Sequence, residues 1–158
     1  MLEIDFQKQE LRKIFKQKRS ALTAQEVEAK SQAINKNFIE NLLPQLLEKK
    51  SQKKFSLYLS SYNEVATNLI AQHFENHNII FSYPRIIAKD QPLDFILHEK
   101  EQVFSPSKIY PALLEPSSIY SKKIFPDFVI MPLLAFDQEM SRLGMGGGFF
   151  DRSINFLK

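Results

Sequence analysis

All the glycine of this 158-residue chain lies in one loop: Gly144, Gly146, Gly147 and Gly148. Glycine allows positive φ and close approach of backbone to a ligand, at an entropic cost wherever it is used. Confinement to a single loop therefore has a local cause. The surrounding run is Arg142-Leu143-Gly144-Met145-Gly146-Gly147-Gly148-Phe149-Phe150-Asp151-Arg152. It joins exposed amides to a cation on each side and a carboxylate just after. Those are the parts of a phosphate or nucleotide site, with the acid available for a metal. The alternative is a long flexible turn before a final helix. The spacing is not that of a Walker A loop, because no Lys-Ser or Lys-Thr follows. Nor is it a Rossmann fingerprint, because the glycines run G-x-G-G-G and do not follow the first strand.

Two further groups have chemistry-bearing types at useful spacing. Lys8 and Arg12 are four apart and share a face of any helix that holds them, where they either grip a polyphosphate or form a solvated face. Glu64, in Leu59-Ser60-Ser61-Tyr62-Asn63-Glu64-Val65-Ala66-Thr67, is a carboxylate in a strand-end loop. It can accept hydrogen bonds from a pterin-like N–H, or be a surface acid in a turn. His73 and His77 have the i,i+4 spacing of a zinc pair, but Phe74 stands where a metalloprotease needs glutamate. The simpler role for both is a favourable imidazole at a helix C-terminus. His98 carries no usable signal. With no cysteine in the chain, disulfides, thiolate metal sites and cysteine nucleophiles are excluded.

The elements that must position these residues read as an α/β alternation. Residues 5–20 form a helix with an apolar stripe of Leu11, Ile14 and Phe15, continued by Leu22. Thr23-Ala24-Gln25-Glu26 has the form of a capping box. It opens a second helix with Val27, Ile34, Phe38 and Leu42 inward, ended or kinked near Pro44. Lys49–Lys54 is a basic connector. Phe55–Leu59 is a buried strand. Thr67 caps a helix with Leu69, Ile70 and Phe74 inward. Ile79–Tyr83, closed by Pro84, and Asp94–His98 are further strands. Residues 104–126 are mostly irregular, with one short strand. Asp127–Met131 is a strand ending at Pro132, and residues 149–157 are helical. Such alternation implies a largely parallel sheet. Ligands then sit beyond the carboxyl ends of its strands, where the loops at 60–64 and 132–148 both belong.

Net charge is only +3, which attracts anions mildly and argues against a dedicated nucleic-acid binder. The N-terminal residues lack a signal-peptide core, and no apolar run reaches the length of a membrane span. The expectation is a soluble, cytoplasmic chain.

Met131-Pro132-Leu133-Leu134-Ala135-Phe136-Asp137, followed by Arg142 to Arg152 as written above, resembles the signature of the 5-formyltetrahydrofolate cyclo-ligase family, also called methenyltetrahydrofolate synthetase. Lys8-x-x-x-Arg12 and the segment from Leu57-Tyr58-Leu59 to Glu64-Val65-Ala66-Thr67 match two more family segments in order. Tyr83-Pro84-Arg85 and Leu114-Glu115-Pro116 match more weakly. The resemblance implies a three-layer α/β/α sandwich with a mostly parallel sheet. It implies ATP-dependent closure of 5-formyltetrahydrofolate to 5,10-methenyltetrahydrofolate, with ADP and phosphate released. The formyl oxygen is phosphorylated and the folate N10 attacks the activated carbon. By the same resemblance Lys8, Arg12, Arg142, Leu143, Gly144, Met145, Gly146, Gly147, Gly148, Phe149 and Phe150 bind ATP, with Arg142 and Lys8 catalytic. Leu59, Glu64, Met145, Gly146, Gly147, Gly148 and Phe149 touch the folate, and Asp151 is the Mg²⁺ ligand.

Three departures from the family pattern are visible. Phe149 and Phe150 stand in place of tyrosines. Met140 and Leu133 stand where glycine is usual. The family also continues beyond the Asp-Arg pair with further strands and an acidic segment, so the expectation is one domain over residues 1–158, truncated at its C-terminus. Two other functions compete: an inactive homologue that binds nucleotide or folate without turnover, and a basic RNA-associated module using Lys8–Arg19 and Lys49–Lys54. Scarce interleaving of aromatic and basic residues counts against the second.

Overall fold

The computed structural model of the chain describes residues 2–48 and 52–158, so Lys49–Ser51 of the basic connector lie outside the described residues. Helix α1 (Leu2–Ser20) leads into α2 (Ala24–Asn37). The capping box that starts α2 is complete. The Glu26 amide donates to Thr23 Oγ1 at 3.2 Å, and the Thr23 amide donates to Glu26 Oε2 at 2.8 Å. The Thr23 amide and hydroxyl, both donating to the Glu26 carboxyl, hold it below its ordinary pKa. α2 continues as a π turn over Phe38–Leu42 and then as α3 (Leu43–Leu47), with Pro44 in its first turn.

The inward faces of these helices differ from the apolar stripes in the sequence. Leu11 and Ile14 are exposed, while Arg12, Phe15 and Arg19 are the half-buried residues of α1. Ile34 on α2 and Leu42 in the π turn are exposed, and Ser31 and Asn35 are buried in their stead. The reason is polar. Asn35 Nδ2 donates to the Ala66 carbonyl at 2.7 Å and Asn35 Oδ1 accepts from the Ile70 amide at 3.2 Å. Ser31 Oγ accepts from the Ala66 amide at 3.0 Å. This pair satisfies backbone groups that would otherwise be buried without partners. The π turn then widens the helix by one residue and rotates the stripe, so Leu43 and Leu46 reach the core.

The main sheet has the order β3-β2-β1-β6. Its strands are β1 (Lys54–Ser56), β2 (Ile80–Arg85), β3 (Asp94–Leu97) and β6 (Phe128–Val129). β1 runs parallel to both β2 and β6, with Phe55 opposite Phe81 and Phe128. β2 and β3 are antiparallel, so the sheet is mixed. The short link from Arg85 to Asp94 leaves no room for the crossover a parallel pair needs. β2 also passes through Pro84 instead of stopping there. β1 has already ended opposite Ser82, so Pro84 faces a ladder on one side only, the setting that tolerates proline. Residues 104–126 hold two short strands where one was expected, β4 (Phe104–Pro106) and β5 (Leu114–Pro116), paired antiparallel. A third pair, β7 (Ala135–Phe136) and β8 (Arg142–Leu143), forms a hairpin.

Helix α4 (Asn68–Asn76) links β1 to β2, with Ile70, Ala71 and Phe74 buried and Leu69 turned outward. Thr67 precedes it without capping it. Its hydroxyl donates to the Tyr58 carbonyl at 2.7 Å, and Asn35 serves the helix amide. The core is built on Phe55, which packs against Phe74 at 4.9 Å and Phe128 at 5.2 Å between ring centres. Leu57, Phe81 and Tyr83 extend it. The final helix is α5 (Phe149–Leu157). Among the described residues no helix is long and apolar enough to cross a membrane.

Candidate functional site

The glycine loop lies between β8 and α5. Gly146 has φ +103° and Gly148 has φ +65°, both in the region that disfavours any Cβ. Gly148 is also the N-cap of α5 and offers no side chain to the helix amides. The first-turn amides of α5 and the positive end of its dipole therefore meet the loop, while Met145, Gly146 and Gly147 are exposed.

Arg12 reaches this loop from the other end of the chain. Its Nε donates to the Gly144 carbonyl at 3.1 Å, leaving its two Nη groups without a hydrogen-bond partner among the described residues. A Cβ added at Gly146 would sit 3.5 Å from Arg12 Nε. That is ordinary contact distance, so the positive φ at Gly146, and not crowding against the guanidinium, is what calls for glycine there. Lys8 is exposed one turn earlier on α1. Arg142 pairs with Asp151 across the loop through Nη2 and Oδ1. Arg152 is occupied differently. It donates to the carbonyls of Lys89 at 2.7 Å and Gly147 at 3.0 Å, and lies over the Phe149 ring at 4.9 Å. It ties the loop to the body of the protein, whereas Arg12 and Arg142 bond within the loop region, to the Gly144 carbonyl and to Asp151.

The second loop lies at the carboxyl end of β1. Leu59 is half-buried against the core. Tyr62 and Asn63 both have left-handed backbone, φ 50° and 57°. Asn63 Nδ2 donates to the Arg19 and Leu22 carbonyls at 3.2 and 3.1 Å, which holds the end of α1. Glu64 Oε2 accepts from the Ser61 amide at 2.9 Å, and Glu64 Oε1 lies 3.7 Å from Arg19 Nη1. Burial raises the Glu64 pKa; the Ser61 amide bond and the Arg19 charge pull against that. Arg19 Nη2 also lies 3.5 Å from Met145 Sδ of the glycine loop. Both sequence-derived loops thus meet α1 on one side of the molecule.

Phe149 packs edge-on to Tyr110 at 5.8 Å, and Phe150 is half-buried at the start of α5. The two weaker motifs meet each other and not the loop. Arg85 donates to the carbonyls of Pro116, Ser117 and Tyr120. Glu115 accepts from the Ile86 amide at 3.1 Å. His73 and His77 stack on each other at 4.0 Å, and His98 Nε2 bonds Glu75 Oε1 at 2.6 Å. No group of three metal-ligating side chains occurs among the described residues. That does not exclude Mg²⁺ at Asp151, because Mg²⁺ is commonly held by one or two carboxylates with substrate phosphates supplying the other oxygens. Asp151 is 70% exposed in its side chain and fits that role.

Arg19, which contacts both loops, is not among the sequence-derived candidates. The signal was present, since positions 8, 12 and 19 fall on one face of a 3.6-residue helix.

A glycine cradle at a helix N-terminus, with arginines from two elements beside it, has the form of an anion site. The comparisons narrow that class. The model of the 5-formyltetrahydrofolate cyclo-ligase family matches residues 5–158, and the chain belongs to that family. The 5-formyltetrahydrofolate cyclo-ligase of Haemophilus influenzae is 26% identical over 153 residues, covering 93% of this chain and 77% of that protein. The protein of the same name from Mycoplasma pneumoniae is 30% identical over 148 residues, covering 93% and 76%. The structure of a 5,10-methenyltetrahydrofolate synthetase from Mycoplasma pneumoniae superimposes with a TM-score of 0.70 at 26% identity, over 94% of this chain and 77% of that one. The fold is also that of the synthetase from Aquifex aeolicus, with a TM-score of 0.75 at 24% identity over 94% and 72%.

Proposed function

We propose that this chain closes 5-formyltetrahydrofolate to 5,10-methenyltetrahydrofolate at the expense of ATP, as a member of the cyclo-ligase family. The observation that carries the site assignment is the convergence of α1 on both loops. Arg12 lies under the glycine loop, and Arg19 spans Glu64 and Met145.

In this reading the nucleotide lies along Gly144–Phe150, with Lys8, Arg12 and Arg142 on its phosphates. The backbone amides at the start of α5 and the two arginines face the oxygens of the transferring group, where fixed donors stabilise developing charge most. Asp151 would hold Mg²⁺ together with the nucleotide's own phosphates, and the ion would supply further charge neutralisation there. Phosphate binding requires Arg142 to exchange its bond to Asp151 for one to phosphate, which also releases the carboxylate. The substrate's formyl oxygen forms the new bond to phosphorus as ADP leaves. Its N10 then attacks the activated carbon, loses its proton, and phosphate departs with the former formyl oxygen. Glu64, with Leu59 beside it, accepts N–H hydrogen bonds from the fused ring and holds the formyl group toward the glycine loop. No side chain becomes covalently bonded, because the substrate is itself the nucleophile toward phosphorus. The three-layer sandwich, a single domain over residues 1–158 and a cytoplasmic setting belong to the same proposal.

Mixing the purified chain with 5-formyltetrahydrofolate and Mg-ATP should generate the near-ultraviolet absorbance of the methenyl product with equal amounts of ADP and phosphate. A flat absorbance trace, with ADP formed no faster than without folate, overturns the proposal.

A further inference from the structure

We propose that Arg19 is a positioning residue for the folate side of this reaction, bridging the acid that reads the ring to the loop that holds the phosphates. The inference rests on the function proposed above. Arg19 lies on α1 seven residues after Arg12, hence on the same face two turns later. Its side chain is only 14% exposed, and that of Glu64 is 8% exposed. One guanidinium nitrogen faces Glu64 Oε1 and the other faces Met145 Sδ. The backbone around it is also held, since Asn63 bonds the Arg19 carbonyl from the same loop that carries Glu64. A planar fork with fixed donors can hold two partners at a set separation, which a lysine ammonium cannot.

The consequence is chemical as well as geometric. Glu64 can accept two N–H bonds from a ring only as a carboxylate. It is buried, which favours the neutral acid. The charged and titratable groups that face it are Arg19 from α1 and the Tyr58 hydroxyl from the segment after β1. The tyrosine is kept protonated by its own burial and its hydroxyl donates to the Val65 carbonyl at 2.8 Å. Against burial stand the Ser61 amide, which bonds Glu64 Oε2 from the same loop, and Arg19, the cation that faces the acid and favours its charged form. Through Met145 the same side chain sets how far the glycine loop stands from Glu64, and so the distance between formyl group and nucleotide.

The test compares wild type with Arg19→Gln, Arg19→Lys and Glu64→Gln. The ¹³C carboxyl resonance of Glu64, assigned by its loss in Glu64→Gln, is titrated in ligand-free protein. Steady-state KM values are measured for 5-formyltetrahydrofolate and for ATP. Arg19→Gln should raise the Glu64 midpoint. It should also raise the folate KM about tenfold or more, the size of a lost charge-assisted bond, with the ATP KM changed less than about twofold. Arg19→Lys, which keeps the charge and loses the fork, should return the midpoint toward wild type yet leave the folate KM raised. It carries the test if Arg19→Gln does not fold. An unmoved midpoint in Arg19→Gln, equal rises in both KM values, or a wild-type folate KM in Arg19→Lys overturns the proposal. A wild-type chain that forms no methenyl product overturns the function proposed above, and the ligand-free titration still decides whether Arg19 governs Glu64.

Discussion

Arg12 divides its guanidinium between support and exposure. Nε is committed to the Gly144 carbonyl, and the Nη groups have no hydrogen-bond partner among the described residues. Loss of a charged hydrogen bond costs about 1.5–3 kcal/mol, so Arg12→Ala should weaken ATP about 10- to 150-fold in calorimetry. An unchanged titration would reduce Arg12 to a support for the loop. Glu64 permits a prediction of opposite sign. Its folded-state pKa is raised above the unfolded value, chiefly by burial. A raised acid stabilises the fold fully below the unfolded pKa and loses that contribution as pH rises through the folded pKa. Above that point the chain carries a buried charge at a cost. Glu64→Gln, which keeps an acceptor for the Ser61 amide, should therefore be more stable than wild type at neutral pH and lose the advantage below pH 4. Urea unfolding at several pH values checks this. Greater stability combined with lost folate turnover would mark Glu64 as a residue kept for binding and not for the fold.

At the scale of elements, the hairpin of β7 and β8 carries a local conflict. Its connecting loop is organised by Asp137, whose Oδ1 accepts from the Glu139 and Ser141 amides at 3.0 and 2.9 Å. To close that loop Met140 adopts φ +65° while the residue is 86% exposed. The family's usual glycine would take this conformation freely. A non-glycine residue pays roughly 1–2 kcal/mol for it, and glycine loosens the unfolded chain by about 0.4–1 kcal/mol. Met140→Gly should thus stabilise the protein by about 0.5–1 kcal/mol, read as a higher urea midpoint with an unchanged slope. A lower midpoint would show that the methionine has a partner the folded chain needs. The replacement of the family tyrosines has a simpler account at Phe149. Its ring is held between Tyr110 and Arg152, contacts that do not use a hydroxyl.

Across the whole molecule, α1 is attached differently from α4. α4 buries Ile70, Ala71 and Phe74. α1 is fastened by Arg12 to Gly144, by Arg19 to Glu64 and Met145, and by Asn63 at its end, while Ile4, Leu11 and Ile14 remain exposed. An element with few buried apolar contacts opens at low free energy. Ligands that bind between α1 and the loops should close that opening. Amide exchange in α1 should be the fastest among the helices longer than one turn, and Mg-ATP with a folate should slow it more than it slows exchange in α4. Equal protection in both helices without ligand would contradict this account of how the site is assembled.

What the sequence determined by itself was local. The capping box at Thr23 and Glu26, the extent of α5, and the special backbone at Gly146 and Gly148 follow from neighbouring residues and the φ each can adopt. The contiguous motif from Met131 to Arg152 was enough to reach the family. Tertiary structure decided everything that needs a distant partner. Periodicity reports that α1 and α2 have apolar stripes, not what covers them, so Leu11, Ile14 and Ile34 read as core and are exposed. Buried polar residues give no signal until their partners are known. Asn35 and Ser31 are inside because the backbone at Ala66 and Ile70 needs them. Thr67, a good cap by type, spends its hydroxyl on Tyr58. Arg85 and Glu115 lie in the two segments that match the family weakly, and they hold β2 and the β5 segment together. Arg19 is legible as a cation on the face of Arg12. Only the fold sets it between Glu64 and Met145, because loop closure over 45 and 126 residues is a property of the packed chain and not of any segment.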